Sequence, residues 1–288
     1  MKIIFDYKCK KIHIQPVNTV KYGYSSPASQ KQQIDKLDYN LVSYSLMSNG
    51  SHKNRTDGVC FFEHYLYYTG DKIDYLDKFD VDSDSYVSKN GIQISEQGTF
   101  SSETDGFWFL GRDGSGALNG HNQSFNFTIE TWSNNSDYDV GRGTTGYYKN
   151  NLGYIAPNYN GFKNQTASYD PIQDKYTILS NYNQSIYGVD YFSISDDTIT
   201  GVGGRTSADN RSNYVNEYSI TNNTWTSKSQ LPADRSFGAA SDYNNKGYQW
   251  NGSNDSTSTN TIFECDNYTW STLLNTIYSS TDFGACSI

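Results

Sequence analysis

An all-β ring of short four-stranded sheets is the fold class this sequence predicts, and three recurrences predict it. Large side chains pair seven residues apart at Leu37–Tyr44, Phe79–Tyr86, Phe125–Trp132, Tyr169–Tyr176, Tyr218–Trp225 and Phe263–Trp270. A glycine heads a short strand-like run at Gly58, Gly106, Gly146, Gly188, Gly238 and Gly284. Another run ends in glycine at Gly70, Gly120, Gly161, Gly204 and Gly252, with Gly23 a weaker sixth. The three markers keep one order at a period of about 45 residues, which with four strand-like runs per unit is the pattern of a β-propeller.

Each element of the unit has a physical reason. The first strand opens on glycine because inner strands crowd the axis, where a side chain would collide. The second strand ends on glycine at a turn. The third and fourth carry the two rings, which fill the wedge between neighbouring blades. One four-stranded sheet cannot cover both of its own faces, but radial stacking lets each blade cover the next. Aromatic and β-branched residues sit in short alternating runs without helical periodicity.

Composition agrees. Only 35% of the 288 residues are hydrophobic and mean hydropathy is −0.74, values that border on disorder. The chain nevertheless carries 26 Tyr, 14 Phe and 5 Trp, whereas disordered chains are poor in rings. A formal charge of −9 argues against a nucleic-acid binder, whose phosphate contacts need clustered cations. No run of the chain is apolar enough for a membrane span, and the N-terminus lacks a secretory apolar stretch. The four cysteines, Cys9, Cys60, Cys265 and Cys286, are too dispersed for a metal or redox motif and are expected as free thiols. The many Asn-x-Ser/Thr triplets are read as turn chemistry.

The best unit contains Gly203–Gly204, the Tyr218–Trp225 pair, and Leu231-Pro232 followed by Arg235 and Gly238-Ala239-Ala240. These markers resemble the kelch repeat, and the resemblance covers roughly residues 30–288; elsewhere the double glycine shrinks and Leu-Pro is missing. The segments at 34–46 (IDKLDYNLVSYSL) and 75–88 (YLDKFDVDSDSYVS) also resemble degenerate kelch-like repeats of tailed-phage virion proteins.

Six ring pairs and six glycine-headed strands give six blades. The last glycine-headed run, GACSI, reaches residue 288 with no strands after it. The simplest closure pairs it with N-terminal strands. The expected organisation is therefore residues 1–30 as N-terminal strands, part of the closing blade or an anchor to a partner, and residues 31–288 as the propeller.

The chemistry-bearing residues are few. Arg55, Arg142 and Arg235 lie shortly before glycine-headed strands, and Arg205 and Arg211 lie on a loop between second and third strands. All five are expected on one mouth of the channel, as an anion- or sugar-binding rim or as loop ties to neighbouring carbonyls. His13, His52, His64 and His121 occupy different parts of different repeats and do not converge. Asp80, Asp82 and Asp84 form an alternating acidic run in a turn. A Ca²⁺ loop would need a glycine and a closing glutamate that this run lacks, so a solvated turn is the reading. No cofactor, no metal and no catalytic residue is expected. The expected function is a non-enzymatic structural or adhesive propeller, a phage or virus virion component such as a tail, fibre or capsid-surface protein. Its expected partners are other virion or surface proteins and glycans, and its location is the virion, with an extracellular or cell-surface position as the alternative. The other functional readings are a carbohydrate-active propeller enzyme and a kelch-type intracellular adaptor.

Overall fold

In the computed structural model, side chains are described for residues 59–275 apart from 70–74, 93–96, 114, 140, 142–144, 156–162, 207–209 and 255–256. Beyond that range the strands alone are described. Strands β1 (Lys2–Asp6) and β2 (Lys11–Gln15) pair with each other. Then come β3 (Tyr22–Ser26), β4 (Gln33–Asp38) and β5 (Ser43–Asn49). The first continuous sheet is β6 (Thr56–Phe62), β7 (Tyr65–Gly70), β8 (Tyr75–Asp80) and β9 (Ser85–Asn90). The second is β10 (Gly98–Ser101), β11 (Asp105–Phe109), β12 (Asn122–Asn126) and β13 (Thr131–Asn135). The third is β14 (Thr145–Lys149), β15 (Leu152–Ala156), β16 (Ala167–Asp170) and β17 (Lys175–Ile178). Two short strands, β18 (Ile186–Tyr187) and β21 (Arg205–Thr206), pair outside the fourth sheet. That sheet is β19 (Asp190–Phe192), β20 (Thr198–Val202), β22 (Val215–Ser219) and β23 (Thr224–Ser227). The fifth is β24 (Ala239–Tyr243), β25 (Lys246–Trp250), β26 (Thr259–Asp266) and β27 (Thr269–Ser280), and β28 (Gly284–Ser287) ends the series.

The architecture is an all-β propeller of four-stranded antiparallel blades. The sequence expects six like repeats, whereas five blades are continuous in sequence. A further four-stranded sheet is composite, in the order β28-β3-β4-β5, with Gly284 opposite Ser26 and Leu37 opposite Tyr44. Each innermost strand abuts the next, from β6 through β10, β14, β19, β24 and β28 back to β6.

The seven-residue ring spacing has a precise cause. Four outer hairpins turn through four residues, which sets Phe79 opposite Tyr86, Phe125 opposite Trp132, Tyr169 opposite Tyr176 and Tyr218 opposite Trp225. The last turn residue is left-handed each time, at Asp84, Glu130, Asp174 and Asn223. Asp80, Asn126 and Asp170 begin their turns by accepting two backbone N–H groups each. The expected Phe263–Trp270 pairing is corrected. In the fifth sheet the turn has two residues, Asn267 and Tyr268, both left-handed, so Trp270 faces Cys265 and Phe263 faces Thr272.

Gly106 is also corrected. It lies in β11, a second strand, and β10 is the first strand of that sheet. Its role is shared with Gly153 and Gly247, where a side chain would meet the first-strand residue of the preceding blade. A Cβ at Gly106 would come within 2.9 Å of Cys60 Sγ, one at Gly153 within 2.1 Å of the Phe100 ring, and one at Gly247 within 2.1 Å of the Phe192 ring. The glycines are thus sockets between blades. Cys60 and Cys265 are free and buried, and burial pushes the Cys60 thiol up to about 12. Cys9 and the Cys286 side chain lie outside the described residues.

Candidate ligand-binding face

In antiparallel blades, the loops joining second to third strands and those joining successive blades emerge at the same end. In the fourth and fifth blades these loops pair into a second, shallow ladder. Tyr187 faces Arg205, Arg205 faces Arg211, Ser212 faces Arg235, Ser236 faces Ser253, and Ser253 also faces Ser258. Gly203 and Gly204 make this possible. Both are left-handed, with φ of 70° and 108°, and Gly204 donates its N–H to the Arg235 carbonyl at 2.8 Å. A Cβ at Gly203 would sit 2.6 Å from that carbonyl oxygen. The double glycine therefore lets the loop of one blade seat on the segment leading into the next.

The ladder gathers three of the five expected rim arginines. Arg205 is half-buried, with its guanidinium carbon 5.9 Å from the Tyr187 ring centre. Arg211 is half-buried and donates from Nε to Ser253 Oγ at 3.0 Å, across the boundary between two blades. Arg235 is buried. It lies over Phe263 at 4.9 Å and donates from Nη1 to the Asp234 carbonyl at 2.7 Å. Burial holds its pKa below the ordinary guanidinium value, although Asp234 opposes the shift. Arg235 is a tie inside the wall, while Arg205 and Arg211 stand at the half-exposed surface. Arg55 and Arg142 lie outside the described residues.

Beneath the platform, Asp190 begins the first strand of the fourth blade and is 5% exposed. Burial pushes its carboxyl up to about 8 against the opposing pull of Gln249 and the Gly238 N–H. Sequence pattern gave no sign of it, because an isolated Asp at the head of a strand looks like a turn residue.

Near the opposite ends of the inner strands a second polar group spans three blades. Tyr147 donates to Asp242 Oδ1 at 2.8 Å, and the Ser193 N–H reaches the same oxygen at 3.4 Å. Lys149 donates to Ser193 Oγ at 2.6 Å and to the Ser195 carbonyl. Ser193 Oγ lies 2.8 Å from the Ser195 carbonyl and 2.7 Å from that of Thr198, so its proton points to carbonyls. A serine nucleophile would need that proton aimed at a base. Burial lowers the Lys149 pKa, opposed by Asp242, Asp196 and Asp197. These residues brace the hub. The signal for them was polar side chains on first strands, visible only once the register is known. An apolar cleft lined by Tyr154, Ile155, Tyr191, Ile199, Tyr218 and Trp225 is the packing seam between the third and fourth blades.

No protein-family model matches the chain, and no curated protein matches it. Among solved structures, that of YjhT is similar with a TM-score of 0.72, covering 86% of this chain and 93% of its own at 13% sequence identity. At that identity the likeness concerns fold, and the fold it supports is the all-β propeller.

Proposed function

We propose that this protein is a non-enzymatic recognition propeller whose loop platform on the fourth and fifth blades engages an anionic group of a protein or glycan partner. The observation that carries the reading is the cross-strand pair Arg205–Arg211. Two guanidinium groups opposed on one ladder gather positive charge in one place, and guanidinium groups donate paired N–H bonds to a carboxylate. The pair is notable in a chain of charge −9. Tyr187, Ser212 and Ser253 beside it supply the ring and hydroxyl groups that suit a polar ligand.

The setting we propose is a virion surface, with other virion or surface proteins and glycans as partners. Support for it is the resemblance of 34–46 and 75–88 to degenerate kelch-like repeats of phage virion proteins, and the Tyr-, Asn- and Ser-rich loops. We also infer that the composite sheet serves as the sixth blade of a closed ring, because β28 lies between β24 and β6.

The test of recognition is a panel of acidic and neutral glycans probed with the full chain and with Arg205→Ala and Arg211→Ala. Acidic members are expected to bind selectively and more weakly as salt rises. Each variant is expected to bind roughly tenfold more weakly, as loss of one charge-assisted bond implies. Binding that survives both substitutions together would sink the proposal. Co-sedimentation with particles in fixed stoichiometry tests the setting, and a free monomer in the source lysate would overturn it.

A further inference from the structure

The acidic run at Asp80–Asp84 gains a partner that the linear sequence hides. His64 sits in the tight turn between β6 and β7, and Asp80 and Asp82 sit at the turn between β8 and β9. The Val81 N–H donates to the His64 carbonyl at 3.0 Å and holds the two turns together. One ligand atom from each of His64, Asp80 and Asp82 lies within 4.8 Å of the others. Asp84, the third acid of the run, is not part of this group. From this geometry we infer that His64, Asp80 and Asp82 form a site for a divalent transition-metal ion of the zinc or cobalt class.

The donor set decides the class of ion. An imidazole nitrogen beside two carboxylate oxygens suits Zn²⁺, Co²⁺ or Mn²⁺. Calcium takes oxygen ligands, and an all-acid turn would have pointed to it. Metal–ligand bonds of about 2.0–2.2 Å place two donors on one ion roughly 3–4 Å apart. A small rotation of the exposed Asp82 or the half-buried His64 therefore closes the group onto an ion. Asp80 is already oriented, because its Oδ1 accepts the N–H groups of Asp82 at 2.9 Å and Ser83 at 3.2 Å, leaving Oδ2 for the ion. Three protein ligands leave the remaining positions to water, at the end of the first continuous blade that carries its β6–β7 and β8–β9 turns.

Titration of the full chain with Co²⁺, followed by visible absorption and by Zn²⁺ competition, tests the inference. One saturable Co²⁺ site that Zn²⁺ displaces and Ca²⁺ does not is expected. His64→Ala and Asp82→Asn are each expected to weaken it at least tenfold, since even outer partners of metal ligands are worth 10–100-fold, roughly. His121→Ala is the control, because His121 also lies near a carboxylate, 3.2 Å from Asp137, but in another blade. All three positions are in loops or turns, and unchanged far-UV circular dichroism confirms folding of each variant. Absence of saturable binding would overturn the inference. So would equal affinity in wild type and His64→Ala, equal loss in His121→Ala, or displacement by Ca²⁺ as effective as by Zn²⁺.

Discussion

Asp190 is the residue whose environment departs furthest from what its type suggests. It is 5% exposed, and its carboxyl is pushed up to about 8 by burial. An unfolded chain releases this proton near pH 4, so between about pH 4 and 8 the folded state binds more protons than the unfolded one. The contribution of Asp190 to stability is therefore complete below pH 4 and is lost as pH rises through 8. The slope is at most about 1.4 kcal/mol per pH unit. Asp190→Asn keeps the shape, cannot ionise and presents an N–H₂ where Gln249 Oε1 lacks a donor. Urea midpoints measured from pH 5 to 9 should fall for the wild type and stay flatter for the variant, with the variant the more stable at pH 9. Parallel curves would mean that Asp190 is ionised throughout.

Among the elements, the outer hairpins do more than reverse the chain. In three of these turns the left-handed last residue reaches the preceding blade. Asp174 accepts from the Ser136 N–H at 2.8 Å, from Ser136 Oγ and from the Tyr169 hydroxyl. Asn223 does the same with the Ser180 N–H and the Tyr218 hydroxyl, both at 2.9 Å. Glu130 replaces these bonds with ion pairs to Lys78 and Lys89 of the first continuous sheet. Indole groups add a second set of ties: Trp132 donates to the Asn90 carbonyl, Trp225 to Thr166 Oγ1 and Trp270 to the Ser229 carbonyl. Asp174→Gly retains the turn and removes the bonds, and should cost about 1 kcal/mol in urea denaturation. Asp174→Ala should cost about 1–2 kcal/mol more, because alanine also resists the left-handed backbone. Equal losses in the two variants would show that the turn conformation carries no strain.

For the whole molecule, closure depends on one short strand. β28 pairs with β3, so strands far apart in the sequence share a sheet, and its neighbours on the ring are β24 and β6. Its removal uncovers the β3 edge and takes a packing neighbour from both β24 and β6. Deleting residues 284–288 should lower the melting temperature, with about 2–4 °C lost for each kcal/mol in a chain of this size. It should also broaden the transition, because an opened ring loses its cooperativity. An unchanged, equally sharp melt would show that the ring holds without β28.

The sequence by itself determined the class of fold, the four-strand unit and the seven-residue ring spacing, because each is local: alternation sets a strand, and a four-residue turn sets what lies opposite. It misplaced Gly106, because a glycine followed by FWFL reads alike at the head of a first or a second strand. It also misjudged the Phe263–Trp270 pair, whose spacing matches the others while a shorter turn changes the register. The arginines were legible as loop residues. Their division into a buried tie at Arg235 and a half-exposed pair at Arg205 and Arg211 was decided by contacts between blades. The same holds for His64 meeting Asp80 and Asp82, and for the burial of Asp190. Such contacts join residues distant in the chain, and their energies depend on neighbours that only the assembled ring supplies.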